Sequence, residues 1–165
     1  MKDVFFPVFF NISEKNILVI GGGKIATRRV HTLIEFASNI LVVAPKISEE
    51  LELLVKDEKV VWISDEYKKD YLLEKEIVVV ATDNINVNHQ VKRDCDDLKK
   101  QRDKLILVNV ADDKNLCDFH FPSIVKKDNV VIGINSGGVS PAQTKEIRKK
   151  VEGLLNADSV YEMEN

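Results

Sequence analysis

The sequence is poor in features that would assign it to several large classes. Only two of its 165 residues are cysteine, Cys95 and Cys117. That is no disulfide framework, so a reducing cytoplasm is the expected setting. No apolar run is long enough to cross a bilayer as a helix, which argues against a membrane protein. The opening stretch 1–10 is apolar but lacks the basic segment and small-residue cleavage site of a signal peptide. Neither charge sign dominates: 24 Lys and Arg face 27 Asp and Glu, a formal net charge of −3. This balance argues against broad nucleic-acid binding through a basic face. Cys117-Asp118-Phe119-His120 has the look of half a metal site, but no second pair stands at zinc spacing. No protein metal site is therefore expected.

What is present is a soluble composition and an ordered pattern. With 44% apolar and 31% charged residues, the length suits one good core with a small appended element. Glycine is scarce, seven in all, yet three stand together in Asn16-Ile17-Leu18-Val19-Ile20-Gly21-Gly22-Gly23-Lys24-Ile25-Ala26. A short apolar run that stops at glycines and opens a helical pattern is the layout of a dinucleotide-binding turn. Gly21 makes the tight bend, Gly23 admits the pyrophosphate to the backbone, and the small Ala26 lets helix pack on strand. Gly22 completes the turn. The N–H groups near Lys24 and Ile25 then face the phosphates, where the helix dipole favours negative charge.

The periods alternate along the chain. Strands are expected at 17–20, 40–44, 60–64, 77–81 and 105–109. The run Ile77-Val78-Val79-Val80-Ala81 reads as a strand buried on both faces. Helical spacing fills 25–36, with Ile25, Val30, Leu33 and Ile34 on its apolar positions. A second helix is capped by Ser48 and runs to about Lys56, with Glu49 and Glu50 in its first turn. A short helical turn falls at 70–73 and a polar helix at 87–101. This order predicts an α/β, Rossmann-like, parallel doubly wound sheet with right-handed crossovers.

Beyond Asn109 the pattern changes. Strands are expected at 119–125 and 130–135, separated by the charged turn Lys126-Lys127-Asp128-Asn129 with no crossover helix. Gly137-Gly138 breaks the chain, and Ser140-Pro141 opens a last helix to about Leu155, rich in Lys and Arg. The tail 156–165 reads as frayed. Residues 1–113 are thus expected to form the nucleotide-binding domain, and 114–165 a small β-β-α segment. Two strands and a helix make a poor independent core. Pairing with the same segment of a second subunit supplies the missing surface, so a homodimer is expected.

Several segments together carry a resemblance: Phe6-Pro7-Val8-Phe9, Gly21-Gly22-Gly23-Lys24-Ile25-Ala26, Ala81-Thr82-Asp83, Asn109-Val110-Ala111-Asp112, Phe121-Pro122-Ser123-Ile124 and Ser136-Gly137-Gly138-Val139-Ser140-Pro141. In this order they resemble the siroheme synthase dehydrogenase family, precorrin-2 dehydrogenases of which some are also sirohydrochlorin ferrochelatases. The likeness runs from about Val4 to Leu155, and the Ser-Gly-Gly-x-Ser-Pro and Asn-Val-x-Asp segments are more specific than the glycines. The resemblance implies NAD as cofactor and oxidation of precorrin-2 to sirohydrochlorin, a step of siroheme biosynthesis. In bifunctional members ferrous iron is then inserted in the same cleft.

The resemblance also implies site residues. The family's essential carboxylate falls on Asp112, beyond the fifth strand, where open α/β sheets hold their ligands. A carboxylate there can take the proton lost alongside the hydride, or pyrrole protons during metal insertion. The alternative is that Asp112 only caps a turn beside Asp113. Cofactor contacts are implied for Gly21, Gly22, Gly23, Lys24 and Ile25, for Pro45 and Lys46 after the second strand, and for Thr82 after the fourth. An ordinary NAD fingerprint would carry an acid at the end of strand two. Here Ala44-Pro45 stands instead, and Lys46 leaves NAD and NADP both open. A substrate with eight carboxylates calls for basic side chains: Lys145, Arg148, Lys149 and Lys150, or Arg28 and Arg29, set against the plainer reading of a solvated helix face. Ser136, Gly137 and Gly138 match the family's substrate-side loop, or simply form a turn.

Tyr71-Leu72-Leu73-Glu74-Lys75 matches the Tyr-x-x-x-Lys pair of short-chain dehydrogenases but precedes the fourth strand, and is read as coincidence. His31 and His89 read as surface or packing residues of helices. The main alternative function is a non-catalytic, dimeric NAD-sensing module, which would not need the motifs between Asn109 and Pro141. A chelatase without redox activity is a second, which the glycine turn argues against. Little sequence follows Leu155, so precorrin-2 is expected to come from another protein and dehydrogenation is a firmer expectation than iron insertion.

Overall fold

Continuous β-branched runs build the centre of the fold. The computed structural model describes residues 6–102 and 105–161. Strands β1 (Ile17–Ile20), β2 (Ile40–Val43), β3 (Val61–Ile63), β4 (Ile77–Val80) and β5 (Leu107–Val110) form one parallel sheet in the order β3-β2-β1-β4-β5. β1 and β4 are buried along their whole length, as expected of parallel strands covered on both faces. They pair from Ile17↔Ile77 to Ile20↔Val80, and β4 pairs with β5 from Ile77↔Leu107 to Val80↔Val110. The strand order reverses between β1 and β4, so a crevice opens at their carboxyl ends.

Helices α1 (Lys24–Leu33), α2 (Glu49–Lys56) and α3 (Ile85–Arg102) connect these strands. Ser48 caps α2 as expected, its hydroxyl accepting from Leu51 N at 3.2 Å. In α1 the buried face is Ala26, Thr27, Val30 and Leu33. Ile25, expected on that face, is exposed because it sits in the first turn, at the crevice rim. α3 buries Asn88, Val91, Cys95 and Leu98 at helical spacing. The side chain of Asn84 accepts from Asn86 N and Val87 N, so the helix starts earlier than its apolar pattern suggested. Leu18, Val78, Val80, Val91, Cys95 and Val108 belong to one core cluster between sheet and α3.

Two compact units divide the chain: residues 8–119, and residues 120–165 with 1–7. In the second, β6 (Ser123–Lys127) and β7 (Val130–Ile134) form an antiparallel hairpin, paired from Ser123↔Ile134 to Lys127↔Val130. α4 (Pro141–Tyr161) packs against both strands. Several expected boundaries move, among them the strand expected from 119, which begins at Ser123. Lys126 and Lys127 lie in β6, not in the turn, because Asp128, at φ +50°, lets the chain reverse at Asp128-Asn129. The fifth strand begins at Leu107, whose N–H bonds Glu76 O, leaving Leu105 exposed. The last helix continues past Leu155 to Tyr161; the rest of the tail lies outside the described residues. No helix among the described residues is long and apolar enough to cross a membrane.

Candidate active site

The turn after β1 is fixed by contacts that only glycine permits. Gly21 adopts φ +115°, and a Cβ built on it would lie 2.3 Å from Ala81 O and 2.7 Å from Ala81 C. The ends of β1 and β4 are therefore pressed together at the switch point. Gly22 meets the other flank: its Cβ would fall 2.0 Å from Lys46 O, and its carbonyl accepts from Ser48 N at 2.9 Å. Gly23 caps α1 with ordinary extended backbone, and a Cβ there would meet nothing within 4 Å. Behind the turn, Thr27 Oγ1 donates to Gly23 O at 3.0 Å and lies 2.8 Å from Ser48 Oγ.

These residues fit a dinucleotide. No side chain caps the start of α1 and no acidic residue stands in its first turn. Its first N–H groups are thus left to a ligand or water, and the positive end of the dipole is uncompensated. Gly23, Lys24 and Ile25 are exposed there. Pro45 and Lys46, at the end of β2, are exposed as well. The carbonyls before them are already used: Ala44 O accepts from Trp62 Nε1 at 2.9 Å and Pro45 O from Ser64 Oγ at 3.1 Å. No carboxylate takes the usual ribose position, since β2 runs out into Ala44-Pro45-Lys46.

On the other side of the crevice the ends of β4 and β5 are joined by one amide. Asn88, on the first turn of α3, is fully buried. Its Nδ2 donates to Thr82 O at 3.1 Å and to Asp112 Oδ2 at 3.0 Å. Its Oδ1 accepts from Thr82 Oγ1 at 2.6 Å. Asp112 itself is exposed, two residues beyond β5. The glycine turn, Pro45-Lys46, Thr82 and Asp112 thus all lie at the carboxyl ends of strands of one sheet. Asn88 was not singled out from the sequence. A polar residue in register with Val91, Cys95 and Leu98 was the signal available.

Arg28 and Arg29 lie on α1, whereas the other expected substrate residues lie in the second unit. Ser136 Oγ accepts from Ser140 N at 3.3 Å and from Thr144 Oγ1 at 2.9 Å. Gly137 and Gly138 turn the chain at φ +63° and +75°. Along α4, Arg148 pairs with Glu152, and Lys150 with Glu146 at 2.7 Å. Lys145 and Lys149 are exposed and form no ion pair with the described residues. Of the four helix cations, these two keep their charge available for an anionic ligand.

Other sequence signals resolve into structure. Cys117 Sγ accepts from Val110 N and donates to Val110 O, both at 3.2 Å, binding the loop to β5. Burial pushes its thiol up, and pushes that of Cys95 up to about 12. Asp118 is opposed by burial, but bonds from Lys99 and Val108 N and the charge of Lys92 hold its carboxyl below the usual range. Tyr71, on a short turn ahead of β4, donates to Asp65 at 2.7 Å. His31 lies 3.8 Å from Glu50, between α1 and α2.

Comparison with known proteins adds three findings. A family model described as "Putative NAD(P)-binding" matches residues 8–123. Among curated relatives, the siroheme synthase of Psychrobacter cryohalolentis is 37% identical over 150 residues, 91% of this chain and 28% of that protein. That of Buchnera aphidicola is 33% identical over 151 residues, covering 92% and 31%. The chain spans less than a third of these relatives. A solved structure, "SirC, precorrin-2 dehydrogenase", superposes with a TM-score of 0.73 at 28% identity, covering 90% of this chain and 70% of that one.

Proposed function

Since the chain belongs to the NAD(P)-binding family whose model spans residues 8–123, we propose that it is an NAD-dependent precorrin-2 dehydrogenase producing sirohydrochlorin for siroheme. The observation that carries the reading is the rim of the sheet, where an open glycine turn and the exposed Asp112 carboxylate stand at the ends of strands on either side of β4. The likeness to SirC supports the substrate.

NAD, when bound, accepts the hydride. The start of α1 would hold the diphosphate through its backbone N–H groups. Gly23 leaves room for it, and Lys24 adds positive charge. Pro45 and Lys46 after β2 and Thr82 after β4 would hold the rest of the cofactor. Asp112 receives the proton that leaves the substrate as the hydride departs, then releases it to water. Precorrin-2 thus loses one hydride and one proton, and NADH and a proton are the other products. Ser136, Gly137, Gly138 and Lys145 bind substrate carboxylates, Lys145 through its unpaired ammonium.

The protein acts as a homodimer in this reading. A two-stranded sheet is marginal by itself, and Val130, Ile147 and Leu154 of the hairpin unit are exposed. Light scattering on the eluted protein at micromolar concentration is expected to give twice the chain mass; a monomer would remove this part. Both cysteines are free, as suits a reducing cytoplasm.

Anaerobic incubation of enzymatically generated precorrin-2 with NAD or NADP tests the whole reading. NADH formation by wild type that falls to a small residual rate in Asp112→Ala is expected, with NAD binding retained. NAD binding without turnover in either protein would mark a sensing module instead. The same assay followed by ferrous iron, read by siroheme absorbance, tests iron insertion at Asp112.

A further inference from the structure

We propose that Asn88 is a positioning residue: its buried amide locks the Asp112 carboxylate to the Thr82 end of β4, presenting one oxygen for proton transfer. The proposal rests on the reading of Asp112 as proton acceptor. An amide has two N–H donors and an acceptor oxygen to satisfy when buried. In Asn88 all are used: both donors through Nδ2, to Thr82 O and Asp112 Oδ2, and Oδ1 by the Thr82 hydroxyl.

The bond to Asp112 is not required by burial. Asp112 is exposed, so water would solvate its carboxylate without any protein donor. What the bond adds is order. It takes Oδ2 and fixes the plane of the carboxylate, while Oδ1 forms no hydrogen bond with the described residues. Restraining a reacting group in this way lowers the entropy cost of reaching the productive geometry. The anchor is itself rigid: Asn88 N donates to Asn84 O at 3.0 Å within the capped first turn of α3. Thr82 follows Ala81, whose carbonyl abuts Gly21. One side chain therefore ties the proposed proton acceptor to the strand end that backs the cofactor turn.

The test compares wild type, Asn88→Ala, Asp112→Ala and the double variant in kcat for NADH formation. Asn88→Ala is expected to lower kcat about ten- to a hundredfold, the scale of a hydrogen bond to a charged group. The double variant should lose no more than Asp112→Ala alone, because one effect acts through the other. Multiplicative losses would overturn the proposal. A second arm needs no substrate and guards against misfolding. Asn88→Asp places a carboxylate oxygen where the donor lies 3.0 Å from Asp112 Oδ2, and should lower the thermal midpoint at pH 7. Adding Asp112→Asn restores a donor and acceptor in reverse order, and should recover part of the midpoint but no turnover. No recovery would overturn the contact, even if the wild type proves active. Recovery in a protein that never reduces NAD would remove the dehydrogenase reading, and the catalytic role of Asn88 with it, while leaving the contact established.

Discussion

Replacing Gly21 by alanine should damage the fold, whereas the same change at Gly23 should damage mainly ligand binding. At Gly21 the added Cβ would stand 2.3 Å from Ala81 O and 2.7 Å from Ala81 C, both backbone atoms. Neither can rotate away, and both belong to the end of a wholly buried strand pair. The backbone also sits at φ +115°, a region that costs a side-chain-bearing residue about 1–3 kcal/mol. Strain from forcing β1 and β4 apart adds an overpacking penalty of about 1–3 kcal/mol. A loss near 3 kcal/mol corresponds to a fall in thermal midpoint of about 6–12 °C for a chain of this size. At Gly23 the backbone is ordinary, at φ −84°, and the Cβ meets nothing. Exchanging a glycine N-cap for alanine costs about 1 kcal/mol, well below the loss at Gly21. Differential scanning calorimetry of both variants, with NAD titrated calorimetrically, separates the two effects. A Gly21→Ala midpoint within about 2 °C of wild type would refute the packing argument, by the same scale. Undiminished NAD affinity in Gly23→Ala would refute the approach of the phosphates at that position.

Other consequences are simpler to check. Asp118 receives Lys99 Nζ at 2.6 Å and Val108 N at 2.9 Å, and its carboxyl is held below the usual range. A depressed folded value stabilises above the unfolded value of about 4 and is lost as pH falls through the folded one. Asp118→Asn should therefore unfold earlier than wild type in urea at pH 7, with the gap narrowing below about pH 4; a gap independent of pH would contradict this. Both thiols are pushed up, Cys95 to about 12, so native protein should resist iodoacetamide at neutral pH. Rapid labelling seen by mass spectrometry would refute it. Lys145→Ala should raise KM for precorrin-2 with little change in NAD affinity, and an unchanged KM would remove Lys145 from the substrate site.

The local elements were legible in the residues because their causes are local. The runs 17–20 and 77–80 have the apolar continuity of doubly covered strands, and both formed there. Ser48 had the chemistry and position of an N-cap and bonds Leu51 N. The glycine cluster marked the strand-to-helix turn, whereas Asp112 was singled out by the family resemblance and not by its local pattern. The strands, the cap and the turn follow from side-chain period, capping and turn chemistry within a few residues of each position.

Only the tertiary structure decided which strands lie side by side. The order β3-β2-β1-β4-β5 depends on packing between segments some sixty residues apart, and nothing in either strand alone encodes its lateral neighbour. That order is why Gly21 must be glycine against Ala81, and why Gly22 answers to the Lys46 carbonyl, a contact its own neighbourhood does not reveal. It also brings Thr82 and Asp112 to adjacent strand ends, close enough for Asn88 to reach both. The sequence by itself determined the elements, their order along the chain and the turn that opens the rim. The fold decided how that rim is assembled, because hydrogen bonds such as those of Asn88 exist only once distant backbone segments have packed together.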